Sequence, residues 1–256
     1  MLFRSDLRGY SPQQLRAIRG NRIATIFQDP MMTLNPVLRI DTQIMEAVRA
    51  HRDVDRASAR KLARAALASV GIPSPEERLQ AYPHEMSGGM RQRVAIAIAF
   101  INKPDLIIAD EPTTALDVTI QSQILYEAQK LCQETGTAMI WITHDLAVVS
   151  ALADRIAVMY AGRIVEQGRT SDIISRPLHP YTRGLLGSVP SANRRGARLA
   201  QIPGMPPSLL NPPAGCSFLP RCSRSAAECS AGPAVTEPLP GRQVRCFRPI
   251  LAEAAP

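Results

Sequence analysis

Leu106-Ile107-Ile108-Ala109, followed by Asp110 and Glu111, restricts the fold of this 256-residue chain more than any other stretch. Four apolar residues without alternation read as a strand covered on both faces, the kind found in parallel sheets. Such a strand needs helices packed on either side, and the flanking sequence offers them. Ser87–Asn102 reads as a helix, Asp117–Thr135 as another, and Ala138–Thr143 as a second strand. A helix near Asp145–Ala153 follows, then two strands, Arg155–Tyr160 and Arg163–Gln167, turning at Ala161-Gly162. Thr170–Ser175 reads as a last short helix. The fold class is α/β, with a largely parallel sheet covered on both faces.

Before this alternation the pattern is different. Leu2-Phe3-Arg4 reads as a short strand, and Ser11-Pro12 opens a short helix to about Arg19. Ile23–Phe27 is apolar and β-branched, so it reads as a buried strand, ending in Gln28-Asp29-Pro30. Residues 40–82 are helical in period: Ile40, Ile44, Ala47 and Val48 share one face, and from Asp55 so do Ala59, Leu62, Ala66 and Leu67. The arginines opposite them read mostly as a solvated face. Pro75-Glu76-Glu77 opens a further helix with acids in its first turn. After about residue 190, proline and glycine recur, periodicity stops, and four of the five cysteines appear. A domain boundary is expected between about 185 and 200.

Composition excludes several classes. With 45% apolar and 20% charged residues the chain is globular rather than disordered. The clearest apolar run, Val94–Ile101, is far short of the ~20 residues that span a bilayer, and no leader pattern stands at Met1. A cytosolic protein is expected, touching membranes only through a partner. The net charge of +8 is nearly all arginine, spread along the chain with local density at Arg52–Arg64 and Arg194–Arg198. With aromatics at 4% there is no basic patch interleaved with rings, so nucleic acid is not an expected partner.

Chemistry concentrates at a few points. Ser87-Gly88-Gly89 can cap a helix whose free N–H groups and positive dipole end attract an anion, the glycines letting a phosphate approach the backbone. Alone, the tripeptide reads better as an ordinary capped helix than as an anion site. Asp110 and Glu111 stand at the carboxyl end of their strand, where open α/β sheets bind ligands; alone, they read as surface acids. His144 ends the Ala138–Thr143 strand and Gln28 ends the Ile23–Phe27 strand.

The order Gln28, Ser87-Gly88-Gly89-Met90-Arg91-Gln92-Arg93-Val94, Asp110-Glu111, Asp117, His144 resembles the motif series of ATP-binding cassette (ABC) proteins. Ile26–Pro30 with Leu34-Asn35-Pro36, His179-Pro180-Tyr181-Thr182 and Pro203-Gly204-Met205-Pro206-Pro207 narrow the resemblance to ATPase subunits of oligopeptide and dipeptide importers. It covers essentially the whole chain. It implies an ABC-type P-loop NTPase fold, with a RecA-like core plus a helical subdomain. Residues 1–190 would form a partial ATPase domain, with 29–95 as helical subdomain and signature, and 191–256 a loop-rich C-terminal extension.

The resemblance also implies roles. Asp110 and Gln28 would serve Mg²⁺, Glu111 would orient or deprotonate the attacking water, and His144 would contact the γ-phosphate of ATP. Ser87, Gly88 and Gly89 would face a nucleotide held by a partner, and Asp117, in a D-loop with Thr113-Thr114-Ala115-Leu116, would lie near the dimer seam. Implied partners are a second ABC ATPase subunit, two transmembrane permease subunits and, indirectly, an extracytoplasmic solute-binding protein, with this chain on the cytoplasmic face of the membrane. The implied function is ATP hydrolysis that energises import of di- or oligopeptides or similar small solutes. The alternatives are a non-hydrolysing remnant and a soluble ABC ATPase acting on nucleic acid or ribosomes.

Two features depart from a plain cassette. Cys216-x₅-Cys222-x₆-Cys229-x₁₆-Cys246 places four thiols in a loop-rich segment, which in a cytosolic protein suggests a metal or cluster rather than disulfides. The spacing is unlike a zinc ribbon and resembles the [4Fe–4S]-type tail of some importer ATPases; zinc and unligated thiols remain open. Cys132 reads as a packing residue within its helix. The phosphate-binding pattern Gly-x₄-Gly-Lys-Ser/Thr, the Walker A loop, does not occur in the sequence, and none of Lys61, Lys103 and Lys130 follows a glycine. The expectation is therefore an N-terminally truncated form, or a start placed too late, which does not hydrolyse ATP by itself.

Overall fold

The computed structural model describes residues 6–114, 116–189, 193, 200–211 and 213–251. The strand expected at Leu2-Phe3-Arg4, the arginines of 194–198 and Ala115 lie outside the described residues. The chain divides into two units, Met1–His144 and Asp145–Pro256.

The first unit holds helix α1 (Pro12–Ile18), strand β1 (Ile23–Ile26), helices α2 (Ile40–Arg49), α3 (Arg56–Ser69), α4 (Pro75–Gln80) and α5 (Gly88–Phe100), strand β2 (Leu106–Asp110), helix α6 (Val118–Thr135) and strand β3 (Ala138–Ile142). The helix ends follow from the sequence. Ser11 and Gln14 close a reciprocal capping box on α1, and Asp55 accepts from Ser58 N at the start of α3. The strands form a parallel sheet in the order β1-β2-β3, with Ile23 opposite Leu106 and Leu106 opposite Ala138.

Ile40, Ile44 and Val48 of α2, Ala59, Ala63 and Leu67 of α3, and Leu79 of α4 are fully buried, joined by Val94 and Ala97 of α5. The small alanines of α3 let neighbouring helices close in. Helix α5 is apolar on almost every side from Val94 to Phe100 and is correspondingly central. Among the arginines expected to be solvated, Arg60 instead bridges three helices: it donates to Asp41 of α2 at 2.8 Å and to Glu76 of α4 at 2.7 Å.

Coverage on both faces holds for β2, whose Leu106, Ile107 and Ala109 are buried, but not for β3. Ile140 and Ile142 are 49% and 46% exposed, so one side of β3 lies open among the described residues.

The second unit holds α7 (Leu146–Leu152), β4 (Arg155–Tyr160), β5 (Arg163–Arg169), α8 (Thr170–Ser175), α9 (Pro180–Gly187), β6 (Thr236–Leu239) and β7 (Arg242–Val244). Its sheet is antiparallel in the order β4-β5-β7-β6. The expectation of one largely parallel sheet is corrected here, because a two-residue turn at Ala161-Gly162 can join only antiparallel neighbours. The tail after residue 190 is also more than loop. Strand β7 pairs with β5, Glu166 standing opposite Val244, so residues before and after the expected 185–200 boundary share one sheet. Tyr160, Tyr181 and Phe218 pack ring against ring beneath it, and Arg221 ties β4 to the proline-rich tail through Tyr160 OH, Ile202 O and Pro203 O. Among the described residues no helix is long and apolar enough to cross a membrane.

One buried carboxylate organises this unit. Glu166 accepts from Leu178 N at 2.7 Å, His179 N at 2.8 Å and Arg242 Nη2 at 2.7 Å, and the Glu166 and Arg242 side chains are 0% and 5% exposed. Arg242 also donates to Arg176 O at the end of α8. His179 is buried, caps α9 by accepting from Tyr181 N through Nδ1, and has its pKa pushed down to about 4 by desolvation.

Two predictions follow from this arrangement. Arg242→Met leaves the Glu166 carboxylate buried without its counter-charge and should cost about 3–5 kcal/mol in urea unfolding, with Arg242→Lys losing less. An unfolded histidine takes up its proton below about pH 6.5, but folded His179 does so only near pH 4. Stability should therefore fall by up to about 3 kcal/mol from this group as pH drops through that window. Urea unfolding at pH 7 and pH 4.5 should show a smaller pH-dependent loss in His179→Asn than in the parent.

Candidate functional site

The parallel register carries Asp110 of β2 opposite Ile142 of β3, so both strands deliver their last residues at one level. Glu111 follows in the left-handed region, φ +43, a conformation disfavoured for a residue with a β-carbon. Its N–H donates to Ile142 O at 2.9 Å, which turns the chain out of the strand and carries the carboxylate toward the end of β3.

Three side chains converge on that carboxylate. His144 Nδ1 lies 3.1 Å from Oε1. Thr114 Oγ1 donates to Oε2 at 3.1 Å, and Gln28 Nε2 donates to the same oxygen at 3.3 Å. Gln28 reaches it because β1 runs parallel beside β2 and ends at the same edge. The hydrogen bond from His144, then that from Thr114, hold the Glu111 carboxyl below the usual carboxylate range, against a smaller opposing effect of desolvation. The site is open: the side chain of Glu111 is 27% exposed and that of His144 70%.

Gln28, Glu111 and His144 are thus brought together as their order along the chain anticipated. Thr114 is the addition; its place three residues after Glu111, where a turn folds back, was the available signal. Asp110 ends β2 with its side chain exposed, and its chain neighbour Glu111 accepts from the Gln28 amide. A carboxylate and an amide oxygen are both hard oxygen donors, the type that Mg²⁺ prefers.

Ser87 is the N-cap of α5 and accepts from Met90 N at 3.3 Å, leaving free N–H groups in the first turn that Gly88 and Gly89 keep accessible. A Cβ built on Gly89 would lie 2.9 Å from Ile120 Cγ2. The glycine therefore also allows close packing of α5 on α6. Asp117 is the N-cap of α6 but makes no side-chain cap bond and is exposed. Among the described residues no hydrogen bond links Ser87, Gly88 or Gly89 to Glu111. They are two separate surfaces of the first unit.

The four tail cysteines are free thiols. Cys216 N donates to Cys229 O at 2.9 Å, and Cys222 and Cys246 feel the charges of the other thiols, so the four share a neighbourhood. Burial pushes the Cys246 thiol up to about 11 and raises that of Cys222. Among the described residues, however, no three His, Cys, Asp or Glu side chains stand close enough to hold a metal ion. The expected [4Fe–4S] ligand set Cys216, Cys222, Cys229 and Cys246, and its zinc alternative, therefore gain no support from this geometry, in which burial favours the protonated thiol at Cys222 and Cys246. Cys132 packs against the core of the first unit, its thiol also pushed up to about 11 by burial.

Comparison with known proteins agrees with this geometry. The ABC transporter family model matches residues 5–114, and the model of the oligopeptide/dipeptide transporter C-terminal region matches residues 165–229. The dipeptide transport ATP-binding protein DppD of Bacillus subtilis is 52% identical over 230 residues, which are 90% of this chain and 69% of that protein. The oligopeptide transport ATP-binding protein OppD of Escherichia coli is 47% identical over 237 residues, 93% of this chain and 70% of that protein. Among solved structures, a dimeric ATP-binding cassette in a post-hydrolysis state with ADP and Pi matches with a TM-score of 0.57 and 29% identity, over 63% of this chain and 68% of that one. By sequence and by fold, the chain belongs to the ATP-binding protein family of ABC oligopeptide and dipeptide transporters.

Proposed function

We propose that this chain supplies two half-sites to an ATPase that drives import of di- or oligopeptides or similar small solutes. The observation that carries the reading is the convergence of Gln28, Thr114 and His144 on the Glu111 carboxylate at the carboxyl end of a parallel sheet. In the first half-site Glu111 orients the attacking water and accepts its proton, which requires the ionised carboxylate that its hydrogen bonds favour. His144 steadies the terminal phosphate, and Asp110 with the Gln28 amide oxygen holds Mg²⁺. That ion, when bound, neutralises charge on the phosphate oxygens.

The second half-site is the first turn of α5. Ser87 and the free N–H groups of Gly88 and Gly89 bind the phosphate of a nucleotide held by a partner cassette, with Asp117 at the seam between the two. Binding closes the pair, and hydrolysis reopens it, moving two permease subunits that receive solute from an extracytoplasmic binding protein. The chain acts at the cytoplasmic face of the membrane. Nucleic-acid or ribosome-directed action is disfavoured by the interval between Gln28 and Ser87, which folds into three short helices packed on the core rather than a long coiled-coil arm.

ATPase assays of the reconstituted transporter test the two half-sites separately. Glu111→Gln removes the proton acceptor and should lower turnover by at least about 10²-fold. Ser87→Arg blocks the phosphate-facing turn and should do the same. Loss with Ser87→Arg alone would confine the chain's role to its partner's nucleotide, and parent rates in both variants would overturn the reading.

A further inference from the structure

Arg93 lies on α5 beyond the Ser87-Gly88-Gly89 turn, and its guanidinium joins three helices. Nη1 donates to Val70 O, the C-cap of α3, at 2.7 Å, and Nη2 donates to Gln123 Oε1 on α6 at 2.8 Å. The chain is shaped to let it pass: Gly71 has φ +68, and a Cβ built there would lie 2.7 Å from Arg93 Nη1. The left-handed backbone favours glycine at this turn, and a Cβ would also push the Arg93 guanidinium from its place.

A second contact fixes the same pair of helices nearer the start of α5. Gly89 approaches Ile120 so closely that a Cβ would lie 2.9 Å from its Cγ2, and one on Gly88 would lie 4.0 Å from Leu116 Cδ2. The first turns of α5 and α6 are therefore in direct contact, with the Arg93–Gln123 bond as a second point of attachment further along. Two separated attachments restrict rotation as well as translation, which one contact cannot do. Arginine suits the task because its planar fork offers two donors at fixed separation, whereas a lysine ammonium is a single compact point.

We propose that Arg93 is a positioning residue that locks the Ser87-Gly88-Gly89 turn to α6, so that this turn and Asp117 meet the partner's nucleotide as one rigid surface. The inference rests on the second half-site proposed above. A purely structural arginine would affect melting without a selective effect on nucleotide-dependent association. A positioning arginine affects association beyond any change in melting.

The test mixes the chain with the partner cassette subunit of its transporter and measures association with and without Mg²⁺ and a non-hydrolysable ATP analogue, by analytical ultracentrifugation. Gln123 is exposed, so Gln123→Ala removes one arm of the bridge without opening the core. Gln123→Ala and Arg93→Lys should each weaken analogue-dependent association about tenfold, the order expected for one lost hydrogen bond to a charged group. Their melting temperatures should fall by no more than about 5 °C, the shift one such bond accounts for. Arg93→Ala should lose more, and in nucleotide-free chain amide exchange should quicken at residues 88–90. Ser87→Arg separates the two claims. If it associates like the parent, the half-site itself is refuted. If it loses association while Gln123→Ala and Arg93→Lys keep parent affinity, the half-site stands and the role of Arg93 is overturned.

Discussion

The candidate site depends on the register between β2 and β3. Because Asp110 stands opposite Ile142, Glu111 N–H finds Ile142 O, and one residue in a left-handed conformation sends the carboxylate to His144. A slip of one residue would move every side chain of β2 to the opposite face, and because both faces are closely packed, Ile107 and Ala109 would have to fill the spaces shaped for Leu106 and Ile108. The position of the carboxylate is therefore fixed by hydrophobic burial two and four residues earlier. The strained backbone at Glu111 is held there by hydrogen bonds on both sides of it, not by its own preference.

The second unit is organised on another principle. Its two hairpins, β4–β5 and β6–β7, are far apart in sequence, and beside a small apolar cluster a buried charge pair joins them. Glu166 binds two backbone N–H groups of the turn before α9 and the guanidinium of β7 at once. The charge pairing at its centre favours one arrangement of β5, β7 and the His179-Pro180 turn, because any other would leave a buried charge unpaired, even though Arg242 Nε itself finds no partner among the described residues.

Much of this was legible in the sequence where local rules act alone. Ser11, Asp55 and Ser87 announced their helices because a side-chain acceptor before an apolar period satisfies free N–H groups wherever it occurs. The unbroken run Leu106–Ala109 announced a central strand, and the three residues ending successive strands met as expected. The tail was not legible: β6 and β7 span four and three residues, and β6 contains Pro238, which suits an edge strand yet reads as a breaker. Helix α9 was hidden in the same way, since Gly184 and Gly187 lower its propensity and its stability comes from the His179 cap and the aromatic cluster. The reading of the four thiols as ligands gained no support for a related reason: spacing along the chain does not report how far apart the sulfurs stand in space.

The open side of β3 has a consequence for the protein as a material. Ala138-Met139-Ile140-Trp141-Ile142 carries no charge, proline or glycine, and in the described residues it lies at the edge of its sheet. Natural edge strands are blunted by lysine, proline or a bulge, and this one has none of these. It has the composition of a segment that stacks on copies of itself. Such an edge offers the chain a route to self-association that is independent of how tightly it folds.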